Sequence, residues 1–221
     1  SYAHCVKKEM ENPKECDYAF DVLEEYFNLV GCSSKRINQA RELFNSLPSG
    51  KNKKIKRKPY LRDLKLPPPV SFEHLLELAK RRRSVRWFEQ KQVPRIIIDK
   101  AIEIATLSPS ACNRQPFKFH VFDDQEKIQR IASFSIGTSG FSCNFQGLIV
   151  VTGSLNAFFH ERDRHVVYID ASLAVMALLL GLETLGVSSC IINWPDIKKA
   201  DRKINKELEL KPYERVIMLV S

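Results

Sequence analysis

The sequence predicts a three-layer domain of sheet and helices, preceded by a helical extension and a basic linker. From Val70 onward, segments with apolar residues at helical spacing alternate with short β-type segments, the pattern of helices packed on a sheet. Before Val70, helical patterns are followed by a basic stretch that ends in three consecutive prolines at residues 67–69. With 221 residues and 44% hydrophobic content, the chain can bury the core of one such domain.

The N-terminal part, residues 1–47, predicts a helical hairpin. Apolar positions recur at helical spacing over residues 16–30 and 34–47, and Ser33 and Ser34 are suited to cap the second helix. Residues 48–70 form the predicted Pro-rich linker, where lysines and arginines greatly outnumber acids. Most of the formal net charge of +9 lies in this linker.

The main domain is predicted to span residues 71–221. Helical patterns cover residues 72–83, 95–107, 124–134, 164–185 and 199–208, and strand patterns cover residues 117–122, 147–152, 188–193 and 214–220. The long apolar segment contains Asp170 and Glu183, whereas a membrane span needs about 20 largely uncharged residues. We therefore expect a buried core helix and no membrane segment.

The six cysteines are scattered and form no CxxC pair, which favours reduced thiols and a cytoplasmic protein. Because the sequence begins at Ser1 rather than methionine, we expect the natural N-terminus to lie upstream.

Several common site types are not predicted. His160 and His165 flank a stretch that resembles a zinc motif, but their spacing of five residues places them about 140° apart around a helix. The glycines between residues 137 and 142 miss the GxSxG spacing of a nucleophile elbow. The chain also has no GxGxxG and no Walker A motif. No metal site or Rossmann nucleotide site is therefore expected.

Two short polar segments carry the functional information. Residues 82–86, the arginine segment, read RRSVR, and three guanidinium groups beside a hydroxyl suit a phosphate. The alternative is a solvated helix end, where basic residues complement the helix dipole. Residues 108–116, the polar turn, read SPSACNRQP between a helical and a strand pattern. This turn is suited to hold a ligand, unless its Asn and Gln only satisfy turn backbone.

These segments, together with GVSSCIINWPD at residues 186–196, resemble the nitroreductase family of FMN-dependent oxidoreductases. The resemblance covers roughly residues 72–220. It implies the α+β nitroreductase fold, with a mostly antiparallel sheet flanked by helices, in a homodimer with FMN at the subunit interface. It also implies that NADH or NADPH docks over the flavin and reduces it, and that a small organic acceptor such as a nitroaromatic, quinone or flavin is then reduced.

The resemblance implies that FMN carries the chemistry, with no catalytic side chain. The implied cofactor-binding residues are Arg82, Arg83, Ser84, Arg86, Pro109, Ser110, Asn113, Gln115, Asn144, Asn193 and Trp194. Among these, Arg86 is the candidate to stabilise the reduced flavin anion. Asn193 and Trp194 match the strand end whose backbone amides lie near flavin N5, although Trp194 also fits a core residue.

The sequence departs from the family pattern at two places. Trp194 stands where many relatives have a small residue, and the basic pair that follows the last core strand in many relatives has no counterpart before Ser221. We expect these differences to affect the pocket shape and the affinity for FMN.

Two other functions remain as alternatives. One is specialised flavin chemistry on the same fold, either flavin breakdown or reductive dehalogenation; residues 85–88, VRWF, are similar to the dehalogenating branch. The other is a non-enzymatic dimeric scaffold whose basic linker binds nucleic acid or an acidic surface. Such binding would weaken steeply as salt rises.

Overall fold

The computed structural model describes residues 13–31, 34–47, 58–61, 63 and 65–221. The chain divides into two compact units, Ser1–Pro68 and Pro69–Ser221, and the boundary falls in the run of three prolines. Most of the basic linker, like Ser33, lies outside the described residues. The division into hairpin, linker and main domain therefore stays a prediction.

The first unit contains helices α1 (Pro13–Leu29) and α2 (Lys35–Asn45). Helix α1 begins before the predicted residue 16 because proline is tolerated in the first turn, where its missing N–H would have no helical partner. At the start of α2, the N–H of Ile37 donates to Ser34 Oγ at 3.3 Å, a serine cap. The buried ring of Phe27 packs against Phe44, with ring centroids 5.3 Å apart, so the two helices share a small aromatic core.

The second unit contains five α-helices and four strands. The helices are α3 (Phe72–Arg81), α4 (Arg95–Ala105), α5 (Gln125–Ala132), α6 (Val166–Thr184) and α7 (Lys198–Glu207). The strands are β1 (Phe117–Phe122), β2 (Leu148–Ser154), β3 (Ile191–Asn193) and β4 (Glu214–Val220). Strand β3 is shorter than the predicted 188–193 because Ser189 forms an isolated bridge with Ser84 instead of a ladder with β4.

The four strands form one antiparallel sheet in the order β1-β2-β4-β3. The register between β2 and β4 shifts at Val151 and Thr152, so that Ile217 is an extra residue in β4. This bulge turns both Ile217 and Met218 towards the same face. At Gly153, an added Cβ would lie 3.1 Å from Ile217 Cδ1 and 3.1 Å from Val167 Cβ, so glycine allows α6 to approach the bulge closely without displacing these side chains.

Helices cover both faces of the sheet, which confirms the three-layer α+β prediction. On one face, α4 and α6 pack on residues of β2 and β4 such as Ile149, Val151 and Val220. On the other face, α5 and α7 pack on Leu148, Val150 and Leu219. By length and composition alone, the stretch Glu161–Thr184 would also be long and apolar enough to cross a membrane. Half of its most apolar window is buried in the protein, however, and α6 is a core helix of this fold.

Helix α6 is apolar all round, yet one side of it is exposed in the single chain. Ile169, Leu173 and Met176 retain 51%, 44% and 45% of their accessible surface. Their spacings of four and three residues place them on one stripe of the helix, called the α6 stripe below. Exposed apolar side chains in such a contiguous stripe are typical of a surface that a partner covers.

A buried carboxylate holds the start of β4. Glu214 is 5% exposed, its Oε1 accepts from Lys118 Nζ at 2.7 Å, and its Oε2 accepts from the N–H of Lys211 at 2.9 Å. Burial raises the pKa of this carboxyl, but the hydrogen bonds from Lys118 and Lys211 outweigh burial, and the pKa lies below its ordinary value of 4.5.

Because the folded-state pKa of Glu214 is lowered, its contribution to stability is present above pH 4.5 and is lost as the pH falls through the folded-state pKa. We expect Glu214→Gln to lower the free energy of unfolding at pH 7 and to flatten its decline below pH 4.5. Urea unfolding of both proteins between pH 7 and pH 3 measures this. An acid-side slope equal to that of the wild type would contradict the assignment.

Candidate functional site

The arginine segment follows α3 and lies beside the C-terminal end of α6. Arg81 Nε donates to Glu183 Oε1 at 2.8 Å, and the Glu183 side chain is only 9% exposed. Further along, the N–H of Val85 donates to Ser189 O at 3.2 Å, next to the bridge between Ser84 and Ser189. The segment is therefore fixed between the end of α6 and the start of β3.

Arg82, Arg83 and Arg86 present positive charge at this place. Over residues 65–221, none of the three forms an ion pair with a carboxylate. Arg83 Nη1 donates to Arg82 O at 2.9 Å, and the Arg86 guanidinium lies over the Phe141 ring, 5.7 Å from its centroid. Three uncompensated guanidinium groups within five residues are suited to an anion such as a phosphate.

Asn144 connects the chain after the arginine segment to residues 141–145. Its side chain is buried, its Oδ1 accepts from the N–H of Phe88 at 2.9 Å, and its Nδ2 donates to Phe141 O at 2.5 Å. The carboxamide therefore joins two backbone segments, and the interpretation of Asn144 as a pocket residue stays a prediction.

At the end of β3, the two residues expected near a cofactor differ in their surroundings. Trp194 is 7% exposed, packs in the core on the α5–α7 side, and donates its indole N–H to Asp201 Oδ1 at 2.8 Å. The structure thus places most of the Trp194 ring in the core, and a role of Trp194 in cofactor binding stays a prediction. Asn193 is exposed.

The polar turn has an unusual backbone. Cys112, Asn113 and Gln115 adopt positive φ values of 53°, 52° and 46°. A left-handed conformation costs about 1 kcal/mol for a residue with a Cβ, so the turn needs contacts that hold it. Ser110 Oγ accepts from the N–H of Gln115 at 3.0 Å, and Gln115 Nε2 donates to Thr106 O at 2.5 Å.

These contacts and the burial of the side chains separate the turn residues that stabilise the turn from those that are exposed. The side chains of Ser110 and Gln115 are used to hold the turn, and Pro116 is buried at its end. Pro109 and Asn113 are exposed, and no hydrogen bond joins the Asn113 side chain to any other described residue. Asn113 is therefore an exposed polar side chain of the turn that is free of hydrogen bonds to other described residues, unlike the exposed Gln115.

The turn is attached to the N-terminal half of α6. Asp170, which is 3% exposed, accepts from the N–H of Ala111 through Oδ2 at 3.1 Å and Oδ1 at 3.3 Å. Ser108 Oγ donates to Leu173 O at 3.4 Å, also on α6. Asp170 is absent from the site residues predicted from the sequence, although an acid in so apolar a helix indicates a specific partner.

The structure does not bring the arginine segment and the polar turn together in one chain. The turn is attached at Asp170 and the arginine segment at Glu183, thirteen residues later on the same helix. At 1.5 Å per residue, these attachment points lie about 20 Å apart along α6. In addition, the turn leads into β1 and the arginine segment contacts the start of β3, and these strands are the two edges of the sheet.

The described residues offer no alternative metal centre. Within them, no group of three or more His, Cys, Asp or Glu side chains is arranged to hold a metal ion. Cys112 and Cys143 are free and exposed, and Cys190 is free and buried.

Comparison with known proteins identifies the family. The sequence model of the nitroreductase family matches residues 79–139 and 143–221, more than half of the chain. The chain belongs to the nitroreductase family. This confirms the resemblance seen in the two polar segments, and it makes the protein a nitroreductase-family oxidoreductase.

Matches to individual proteins support the family assignment. The chain is 27% identical over 156 residues to an iodotyrosine deiodinase from Thermotoga neapolitana, covering 62% of this chain and 83% of the relative. It is 31% identical over 118 residues to an Archaeoglobus fulgidus protein whose name couples NADH dehydrogenase with NAD(P)H nitroreductase, covering 53% and 66% of the two chains. Among solved structures, an FMN-dependent nitroreductase from Clostridium difficile R20291 matches with a TM-score of 0.60 and 27% identity, covering 66% of this chain and 84% of the other.

Proposed function

We propose that this nitroreductase-family protein is an FMN-dependent oxidoreductase that passes electrons from NADH or NADPH to a small organic acceptor. We further propose that it acts as a homodimer whose two flavin sites each combine the arginine segment of one subunit with the polar turn of the other. The observation that carries this proposal is the separation of about 20 Å along α6 between the two segments in one chain. A single chain offers two half-sites, and a two-fold dimer offers two complete ones.

The residues of the two half-sites fit FMN. Arg82, Arg83 and Arg86 have no carboxylate partner in residues 65–221, which suits a phosphate and the negative charge of a reduced flavin. Asn113 offers an uncommitted carboxamide to a flavin or a substrate. Bound FMN would supply the redox chemistry, hydride acceptance from the nicotinamide and electron delivery to the acceptor.

In this proposal the protein residues bind and orient the FMN. Contact with the Phe141 ring restricts the Arg86 guanidinium, and the bridge to Ser189 fixes the backbone of Ser84. In this proposal Arg82 and Arg83 hold the phosphate, Arg86 stabilises negative charge, and the backbone at Asn193 faces the ring system. No side chain acts as a conventional acid or base.

The α6 stripe supports the dimer. Ile169, Leu173 and Met176 leave an apolar surface exposed on the helix that carries both half-sites. Pairing this stripe with a second copy removes apolar area from water and also places the polar turn of each subunit near the other subunit. We also infer a cytoplasmic location, which suits the free cysteines at positions 112, 143 and 190.

A flavin-binding experiment tests the proposal. The purified protein incubated with FMN should retain flavin after gel filtration, at one FMN per subunit, and the flavin absorbance should bleach under anaerobic conditions on addition of NADH or NADPH. Reoxidation by a nitroaromatic or quinone should follow. A protein that neither retains nor takes up FMN would refute the enzymatic function, and salt-sensitive binding of nucleic acid by that protein would favour the scaffold alternative.

Reductive dehalogenation is a second candidate function. It is supported by the match to the Thermotoga neapolitana iodotyrosine deiodinase over 83% of that protein. The reaction replaces a carbon–iodine bond by a carbon–hydrogen bond, uses two electrons and one proton, and releases iodide. Iodide release from monoiodotyrosine by the reduced, FMN-loaded protein, measured beside the reduction of a nitroaromatic, distinguishes the two candidates.

A further inference from the structure

Asp170 is a buried charged group to which the proposed redox chemistry assigns no role. It lies in α6 among Val167, Ala171 and Ala174, and it is 3% exposed. A buried carboxylate is unfavourable unless hydrogen bonds satisfy it. Within residues 65–221, its hydrogen-bond donor is the backbone N–H of Ala111, which both carboxylate oxygens face at 3.1 and 3.3 Å.

Ala111 is the first residue of the short 3-10 turn Ala111–Asn113, directly before the left-handed residues Cys112 and Asn113. The hydrogen bonds of Ser110 and Gln115 hold the turn to itself and to Thr106 O. Asp170 instead ties the turn to a core helix 59 positions away in sequence. The carboxylate therefore fixes where the turn lies on α6 and which way Asn113 is presented.

We propose that Asp170 is a positioning residue for the flavin site of the opposite subunit. This inference rests on the proposed function. Asp170 orients the polar turn of its own subunit, and that turn completes the flavin site whose arginines belong to the partner subunit. The distance of about 20 Å between the attachment points at Asp170 and Glu183 separates Asp170 from the arginine segment of its own chain.

The first test compares homodimers. We expect Asp170→Ala to weaken FMN binding about tenfold, because the turn loses a charge-assisted hydrogen bond. Asp170→Asn keeps an oxygen that accepts from Ala111, and we expect it to restore binding to within about threefold of the wild type. Asp99→Asn, an exposed carboxylate on α4, is the control and should leave FMN binding unchanged. Unchanged binding in Asp170→Ala would overturn the inference.

The second test uses mixed dimers purified through two different tags, with FMN affinity and stoichiometry as the readout. When one subunit carries Arg82→Ala and the other carries Asp170→Ala, both changes fall in the same site, and the second site is intact. We therefore expect one FMN per dimer at wild-type affinity. When both changes are on one subunit and the other is wild type, each site has one defect, and we expect no site at wild-type affinity.

The opposite pattern would show that Asp170 acts on the site of its own subunit, and it would overturn the inference. A general loss of stability would affect both arrangements equally, which also contradicts the inference. If Asp170→Ala does not fold, Asp170→Leu, which fills the space of the carboxylate but offers no oxygen to the N–H of Ala111, takes its place in both mixed dimers. A wild-type protein that takes up no FMN overturns the proposed function and this inference together, whereas wild-type uptake with unaltered Asp170 variants overturns this inference alone.

Discussion

Replacing Met176 by glutamate should separate the proposed dimer into monomers. Met176 lies in the α6 stripe and is 45% exposed in the single chain, so the change is accommodated in a monomer. In a two-fold interface the glutamate occurs twice, and each copy buries a charge without a partner. At about 2 kcal/mol for each copy, the dimer dissociation constant should rise about a thousandfold.

Sedimentation velocity across a range of protein concentrations measures the change. FMN retention should fall together with dimer content, because each proposed site needs both subunits. Ser139→Glu is the matched control, since it adds one glutamate at an exposed turn residue outside α6. A Met176→Glu protein that remains dimeric would show that the α6 stripe is not the interface, and full FMN binding by a monomer would refute the shared site.

Replacing Arg82 by alanine should weaken FMN binding by about ten- to a hundredfold. The side chain has no carboxylate partner in the described part of the second unit, so its charge is available for the phosphate. A charge-assisted hydrogen bond contributes about 1.5 to 3 kcal/mol, which corresponds to that range of affinity. Titration of the apoprotein with FMN, followed by fluorescence quenching, measures the loss.

The control for this prediction is Arg95→Ala. Arg95 is exposed on α4 and pairs with Asp99 at 2.8 Å, and an exposed pair of this kind contributes little to stability. We expect its FMN affinity and unfolding midpoint to match the wild type. If Arg82→Ala retains FMN as well as this control does, Arg82 is not part of the phosphate site.

The sequence predicts the elements of this fold well where the apolar pattern is clear. The mixed apolar and polar pattern of residues 117–122 and the apolar run of residues 216–220 correspond to the observed β1 and β4. Helix α6 is the opposite case, because it is apolar on all sides. Its pattern identifies a buried helix, but it does not separate the side that packs on the sheet from the α6 stripe that remains exposed.

The sequence predicts which short segments belong to the candidate site, but it does not predict how these segments are arranged in space. Short polar segments reveal the arginines and the turn, whereas the contacts that fix them join residues far apart in sequence, such as Ala111 with Asp170 and Arg81 with Glu183. Trp194 shows the same limit. Its position beside Asn193 suggested a pocket residue, but the hydrogen bond to Asp201 and the packing against the α5–α7 side make it part of the core.

The length of α6 between Asp170 and Glu183 has a consequence for the redox behaviour of a dimer. In the proposed dimer, each site combines the Glu183 end of α6 from one subunit with the Asp170 end of α6 from the other. The two flavins would therefore lie about 20 Å apart, at opposite ends of this part of the helix. Two unit charges about 20 Å apart repel by only about 0.2 to 0.8 kcal/mol at effective dielectric constants of about 80 to 20, so charge gained at one flavin has little effect on the other. The two flavins should therefore titrate with one common midpoint potential, independently of each other.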